Sequence, residues 1–281
     1  MASSLSPDRV ARYHEQGFLF PVPVFTADQA VALRRRLEAL EAAHGRLDYA
    51  MKPYLTVTLA DEMAHHPAVL DAVEAVLGPD ILLWDGAFII KEPGGRHFVS
   101  WHQDLTYWGL APADGVVSVW IALSPVTPEQ GCVRMISGSH RRGALPHVDR
   151  MGEDNLLSRG QTIEGVDEAA AVDVVLSPGE MSLHHGLVVH GSRPNLSGAR
   201  RIGVNFQHLA PSVRQTVIEG DSAMLVRGRD GCRHFAAEPR PAVDFAPEAM
   251  AVANEIAERR HALLFRGLDA AALAARYPAL A

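Results

Sequence analysis

A chain of 281 residues, 48% apolar and 21% charged, is long enough to bury one large core, and nothing in it calls for a second independent domain. Its net charge of -7 disfavours nucleic acid and anionic membrane surfaces as partners, and no apolar run reaches membrane-spanning length. Two cysteines, Cys132 and Cys232, lack the spacing of a disulfide framework or thiolate metal site, and a start without an apolar signal core leads to the expectation of a cytoplasmic protein.

In chain order, Ser6-Pro7-Asp8 predicts a helix start, with the helix running through Tyr13 to Gly17. Thr26-Ala27-Asp28-Gln29 has capping-box spacing and opens a longer amphipathic helix with Val31, Leu33, Leu37 and Leu40 on one face and Arg34, Arg35 and Arg36 in solvent. A third helix is expected over 67–77, stopped by Gly78-Pro79. Short strand-like runs follow at 81–91, 97–105, 116–124, 131–136, 172–176, 180–190 and 201–209, and a last helix at 247–264. This order predicts a mainly β fold with flanking helices, a double-stranded β-helix (jelly roll) of the cupin type. One domain over 1–281 is expected: a helical buttress to about residue 80, a core over about 81–210, and an extension from about 211. The segment 141–171, polar and without periodicity, is a candidate lid, and 225–235 a second candidate cover for a substrate.

Chemistry concentrates in two places. In Ser100-Trp101-His102-Gln103-Asp104, strand alternation lets His102 and Asp104 face one ion while Gln103 points away. A third ligand is available in Leu183-His184-His185-Gly186-Leu187-Val188-Val189-His190, where His184 and His185 compete with His190. Two imidazoles and one carboxylate leave coordination positions open, the preference of non-haem Fe(II) oxygenases rather than of structural zinc. The turn-rich stretch from Arg193 to Ala199 predicts a hairpin centred near Leu196 that sets Arg201 opposite His190, where a guanidinium can grip a carboxylate bidentately. That relation favours His190, leaving His185 as a neighbouring or substrate contact and His184 as a structural residue. Among 14 histidines on the order of one His-x-Asp triplet arises by chance. A second, His147-Val148-Asp149, lies in a turn-rich polar stretch that reads as loop.

From about Leu82 to His208 these residues resemble the phytanoyl-CoA dioxygenase family of Fe(II)- and 2-oxoglutarate-dependent oxygenases. The resemblance rests on Ile89-Ile90-Lys91-Glu92-Pro93, His102-Gln103-Asp104-Leu105 with Tyr107, Trp120, Gln130-Gly131-Cys132, and His190-Gly191-Ser192 with Asn195 and Arg201. Ser137-Gly138-Ser139-His140 departs from the family's Pro-Gly-Ser/Thr-His at its first position only. The resemblance implies Fe(II) on His102, Asp104 and His190, with 2-oxoglutarate held by Arg201 and Ser192, Trp120 packed nearby and Lys91 among the cosubstrate residues. A related subgroup that replaces the carboxylate ligand with a small residue halogenates; Asp104 is present, so hydroxylation with O2, releasing succinate and CO2, is the implied outcome. Gln103, Thr106, Tyr107, Trp108, Arg134 and His185 are the candidate substrate contacts. A small-molecule substrate is expected, with a homodimer allowed. The rival reading is a non-oxidative cupin, an isomerase or binding protein, which has no use for Arg201.

Overall fold

A computed structural model describes residues 5–264 except Tyr49, Met151, Glu153 and Ser158. The predicted N-terminal buttress and C-terminal extension therefore have their outermost parts, 1–4 and 265–281, outside the described residues.

Helices begin where the sequence supplies first-turn signals. α1 (Pro7–Gln16) starts on a proline, whose fixed φ suits the first helical position, and closes on Gly17, which at φ 83° donates its N–H to the Tyr13 carbonyl. α2 (Ala27–His44) carries the full capping box: Gln29 N–H donates to Thr26 Oγ1, and Thr26 N–H to Gln29 Oε1. Leu33 and Leu37 are buried and Leu40 half-buried, but Val31 is 42% exposed and Ala30 takes the inward place expected for it. The stripe runs 30, 33, 37, the i, i+3, i+7 spacing that leaves Val31 to one side. α3 (Thr58–Ala64), unannounced by periodicity because it is only 7 residues long, precedes α4 (Pro67–Leu77), and α5 (Pro247–Leu264) closes the described chain. None of these helices is long and apolar enough to cross a membrane.

The strands are β1 (Phe18–Pro23), β2 (Ile81–Lys91), β3 (Val99–His102), β4 (Leu110–Ala111), β5 (Val116–Ala122), β6 (Val133–Ile136), β7 (Val148–Asp149), β8 (Gln161–Thr162), β9 (Ala171–Val174), β10 (Glu180–His185), β11 (His190–Ser192), β12 (Arg201–Leu209), β13 (Arg214–Gln215), β14 (Ser222–Arg227) and β15 (Ala236–Ala237). The larger sheet runs β1-β10-β5-β12-β2-β14-β15 and the smaller β3-β11-β6-β9; β4 pairs with β13 and β7 with β8. The two main sheets are the faces of the expected jelly roll. β1 and β14 extend the larger sheet beyond the predicted core; β1 sits at an edge, where Pro21 and Pro23 cost least. The predicted run 180–190 is broken: β10 belongs to the larger sheet and β11 to the smaller, with a turn closed by Val188 N–H on the His185 carbonyl between them.

The larger sheet is covered on both faces, so β5 is buried along its whole length. Ile202, Val204 and Phe206 of β12 join Leu33, Leu37, Met63 and Val69 in the core under the helices. The alternate residues Arg201, Gly203, Asn205 and Gln207 turn to the inner face, towards the smaller sheet. Two smaller apolar clusters fill the sandwich, one around Trp120, Met135 and Val188, the other around Trp84, Leu105 and Leu209. The polar site lies on the inner faces with them.

Segment 225–235 does not cover the site as expected. Arg227 pairs with Asp71 and Glu74 of α4, and Arg229 N–H donates to Asp80, which fixes residues 227–229 at the helical side, while Phe235 is buried in the cluster around Trp84 and Leu105.

Candidate active site

His102 ends β3 and His190 begins β11, and the two are Cα partners in the smaller sheet with ring centroids 4.1 Å apart. The His102 Nδ1 lies 2.9 Å from the Ser100 carbonyl and the His190 Nδ1 3.0 Å from the Val188 carbonyl. Each carbonyl fixes the proton on Nδ1 and turns the Nε2 lone pair inward, the arrangement a metal-binding imidazole needs. Asp104 is not on the strand as expected: β3 stops at His102, and Asp104 opens a 3-10 turn through Thr106. That turn swings its Oδ1 to 3.4 Å from His102 Nε2 and 3.6 Å from His190 Nε2. One donor atom from each of His102, Asp104 and His190 lies within 4.8 Å of the others. An ion roughly 2.0–2.2 Å from each would fit among them.

The electrostatics suit a cation. Burial works against ionising Asp104, yet His190, His102 and His184 together hold its carboxyl well below the usual carboxylate range. Burial, aided by the neighbouring His102, pushes His190 down to about 3 against the pull of the Asp104 carboxylate. The second triplet forms no such centre: His147 accepts the Gln103 N–H at 3.0 Å, and Asp149 binds the Tyr107 hydroxyl and Arg159.

The expected hairpin is absent. β11 and β12 lie in different sheets, and residues 193–200 cross between them; Asn195 shapes the crossing by donating Nδ2–H bonds to the Lys91 and Ala199 carbonyls. The Cα partner of Arg201 is Lys91, not His190. Arg201 reaches the site from the opposite wall, its Nη1 donating to the Gly131 carbonyl at 2.7 Å and its guanidinium carbon 5.3 Å from the Trp120 ring centroid. Lys91 Nζ donates to Ser192 Oγ and the Arg193 carbonyl, both at 2.6 Å. Ser192 is two residues beyond His190 on one strand, so strand alternation sets its hydroxyl, and with it Lys91 Nζ, on the same face as the His190 ring. Burial, together with the adjacent Arg201, pushes Lys91 down to about 6.

Several expected substrate contacts have other partners. Arg134 lies on the other side of the smaller sheet with Glu168, Asp173 and the Trp101 ring, because its neighbour Met135 is the residue paired with His190. His185 turns away from the centre to Asp114, 3.1 Å off. Gln103 is fully buried, donating to the Gly143 and Leu187 carbonyls and accepting from Leu145 N–H. Thr106 meets His147, and Tyr107 donates to Asp149, so both face the inserted segment 141–171. Trp108 packs on Trp84, with centroids 5.4 Å apart. The insertion itself runs beside β3, with the carbonyls of Trp101 in that strand and of Phe98 just before it accepting from Ile163 N–H and Leu156 N–H.

Two residues in contact with Asp104 were not foreseen in these roles. His184, expected to be merely structural, brings Nε2 to 3.3 Å from Asp104 Oδ2, and Ser118 Oγ donates to the same oxygen at 3.0 Å. The signal lay in alternation: of two successive histidines on a strand only one faces inward, but only the sheet register tells which.

A two-histidine, one-carboxylate centre beside a buried lysine and arginine, between the sheets of a jelly roll, defines a metal-dependent enzyme class whose cosubstrate is an anion. The sequence model of phytanoyl-CoA dioxygenase matches residues 13–203. The chain belongs to the phytanoyl-CoA dioxygenase family. It is 27% identical over 162 residues to the human peroxisomal phytanoyl-CoA dioxygenase, covering 56% of this chain and 47% of that protein. The chain spans about half the length of the curated relatives it first matches. Among solved structures, the non-heme monooxygenase ThoJ in its apo form is 37% identical with a TM-score of 0.80, covering 92% of this chain and 97% of ThoJ. The ThoJ–Ni complex gives 34% and 0.75, covering 93% of this chain and all of that one.

Proposed function

We propose that the protein is an Fe(II)- and 2-oxoglutarate-dependent dioxygenase that hydroxylates an unactivated C–H bond of a small metabolite. The observation that carries this reading is the pairing of His102, Asp104 and His190 with a separate cationic pocket of Lys91, Arg201 and Ser192 on the same inner space. When bound, iron and 2-oxoglutarate supply the oxidising power, consuming O2 and releasing succinate and CO2 as C–H becomes C–OH.

The chain's own residues bind, orient and shield. His102, His190 and Asp104 hold the metal through neutral Nε2 atoms and an ionised carboxylate, with the ring tautomers fixed by the Ser100 and Val188 carbonyls. Arg201 and Lys91 orient the far carboxylate of the cosubstrate, Ser192 offers its hydroxyl, and Trp120 walls the pocket. The inserted segment, tied to the metal loop through His147 and Asp149, shields the substrate side.

A non-oxidative cupin would need the metal ligands but not a lysine and an arginine buried together. The family's name points to an acyl-CoA, yet Arg159, beside the metal loop, is bound to Asp149, and Arg134 lies on the other side of the smaller sheet with Glu168, which favours a substrate without phosphates. The test is anaerobic titration of the Fe(II) protein with 2-oxoglutarate, followed by a metabolite screen reading succinate. A weak visible charge-transfer band, and succinate release lost in Asp104→Ala, are expected. Wild-type turnover by Asp104→Ala would refute the ligand set.

A further inference from the structure

We infer that Ser118 and His184 form a two-donor clamp that keeps Asp104 Oδ2 away from the metal, so that the carboxylate ligates through Oδ1 alone. The inference rests on the metal centre proposed above and assigns positioning residues for it.

Ser118 on β5 and His184 on β10 are Cα partners, so their side chains rise side by side from the inner face of the larger sheet. Both end at the same atom: Ser118 Oγ lies 3.0 Å and His184 Nε2 3.3 Å from Asp104 Oδ2. The other oxygen, Oδ1, is the one turned to the Nε2 atoms of His102 and His190. The carboxylate is thus divided, one oxygen for each sheet.

The tautomer of His184 follows from its surroundings. Its Nε2 faces Asp104 Oδ2, an oxygen that in the ionised carboxylate only accepts, and its Nδ1 is buried without a hydrogen-bond partner among the described residues. The ring proton therefore sits on Nε2, where it can be donated to Asp104. Two hydrogen bonds engage the lone pairs a metal would need for a second, bidentate contact. Without them the carboxylate could rotate to chelate, occupying a position that cosubstrate or O2 requires. The clamp also ties the 3-10 turn, whose backbone does not belong to either sheet, to the rigid β5–β10 pair.

The test uses the full-length metal-free protein titrated with Co(II), whose visible bands report coordination number. Ser118→Ala and His184→Phe are each expected to weaken Co(II) binding, by about 10- to 100-fold in the double variant, and to change the band intensities as the second oxygen enters. His184→Gln, whose amide can still donate, should restore both affinity and spectrum. Wild-type affinity and bands in both Ser118→Ala and His184→Phe would overturn the clamp. So would equal losses in His184→Gln and His184→Phe, which would make the ring a packing element only. Ser118→Ala removes one oxygen from a position whose neighbours are unchanged, so it reports even if a ring substitution misfolds. Failure of the wild type to bind Co(II) would instead strike the metal centre itself.

Discussion

Lys91 and Arg201 are Cα partners on adjacent antiparallel strands, and their side chains, 3% and 1% exposed, meet on one buried face. Such a pair is costly without an anion, and the cost falls on the residue able to shed its proton. Burial and Arg201 together bring Lys91 down to about 6, so with no anion bound it is mostly neutral at pH 8. A bound carboxylate restores the ammonium, which makes binding take up a proton at any pH between about 6 and the higher value in the complex. Affinity for 2-oxoglutarate is therefore expected to be flat below pH 6 and to weaken above it, by up to roughly tenfold per pH unit. Calorimetry in buffers of different ionisation enthalpy checks the proton count. A pH-independent affinity without proton uptake would contradict the assignment, and Lys91→Met should remove the dependence.

Arg201→Lys tests the shape of the cation rather than its charge. The guanidinium already donates to Gly131 through Nη1 and stands over Trp120, which orients its fork before any ligand arrives. A lysine keeps the charge but loses the paired donors. Hydrogen bonds to charged groups contribute about 1.5–3 kcal/mol, so the 2-oxoglutarate requirement should rise roughly 10- to 100-fold with a smaller change in kcat. Succinate release against 2-oxoglutarate concentration measures both, and an unchanged KM would argue that the carboxylate binds elsewhere.

Gly203 faces the same ring from the next inward position of β12. A Cβ there would lie 2.2 Å from Trp120 Cζ2, a distance that only displacement of the indole can relieve. Gly203→Ala is expected to cost about 1–3 kcal/mol through overpacking, and each kcal/mol lowers Tm by about 2–4 °C in a chain of this size. Because the ring that moves is the one beside Arg201, cosubstrate affinity should fall with it. Thermal unfolding and a 2-oxoglutarate titration of one preparation check the two together; a lower Tm with unchanged affinity would separate Trp120 from the cosubstrate pocket.

Much of this was legible in the residues because it depends on local rules. Thr26 and Gln29 announce the start of α2, Gly78 the stop of α4, and β12 occupies the predicted span 201–209. The convergence of His102, Asp104 and His190 was legible because only three residues need to meet and two of them are separated by a single residue. Misreadings arose where long-range pairing decides. A turn-rich octet between two strands is compatible with a hairpin or with a crossing between sheets, and only the sheet order β3-β11-β6-β9 shows that it crosses. Whether Arg134 or Met135 faces inward depends on the registry of β6 with His190, and the opposite fates of His184 and His185 depend on the registry of β10 with β5. Nothing in the local sequence sets that registry.

Gln103, between the two metal-loop ligands, points away from the centre yet fastens it. Its Nε2 donates to the Gly143 and Leu187 carbonyls at 2.9 and 2.7 Å, its Oε1 accepts from Leu145 N–H at 2.8 Å, and its own N–H is taken by His147. One buried amide thus joins the His102–Asp104 span to the start of the insertion and to the turn that leads into His190. Gln103→Leu conserves much of the volume but leaves two carbonyls and one N–H without their partner, at about 1–3 kcal/mol each. The expected outcome is a Tm lowered by many degrees, faster hydrogen exchange at Leu145 and neighbouring amides, and weaker metal binding because both ligand-bearing segments lose a common anchor. Gln103→Glu should recover only the Leu145 bond, since an ionised carboxylate accepts but cannot donate to carbonyls, and would place its charge in a site with no exposure. It should therefore be no more stable than the leucine variant. Hydrogen exchange and thermal unfolding on the metal-free forms settle it: wild-type protection at Leu145 in Gln103→Leu would show that the insertion holds its place without the amide.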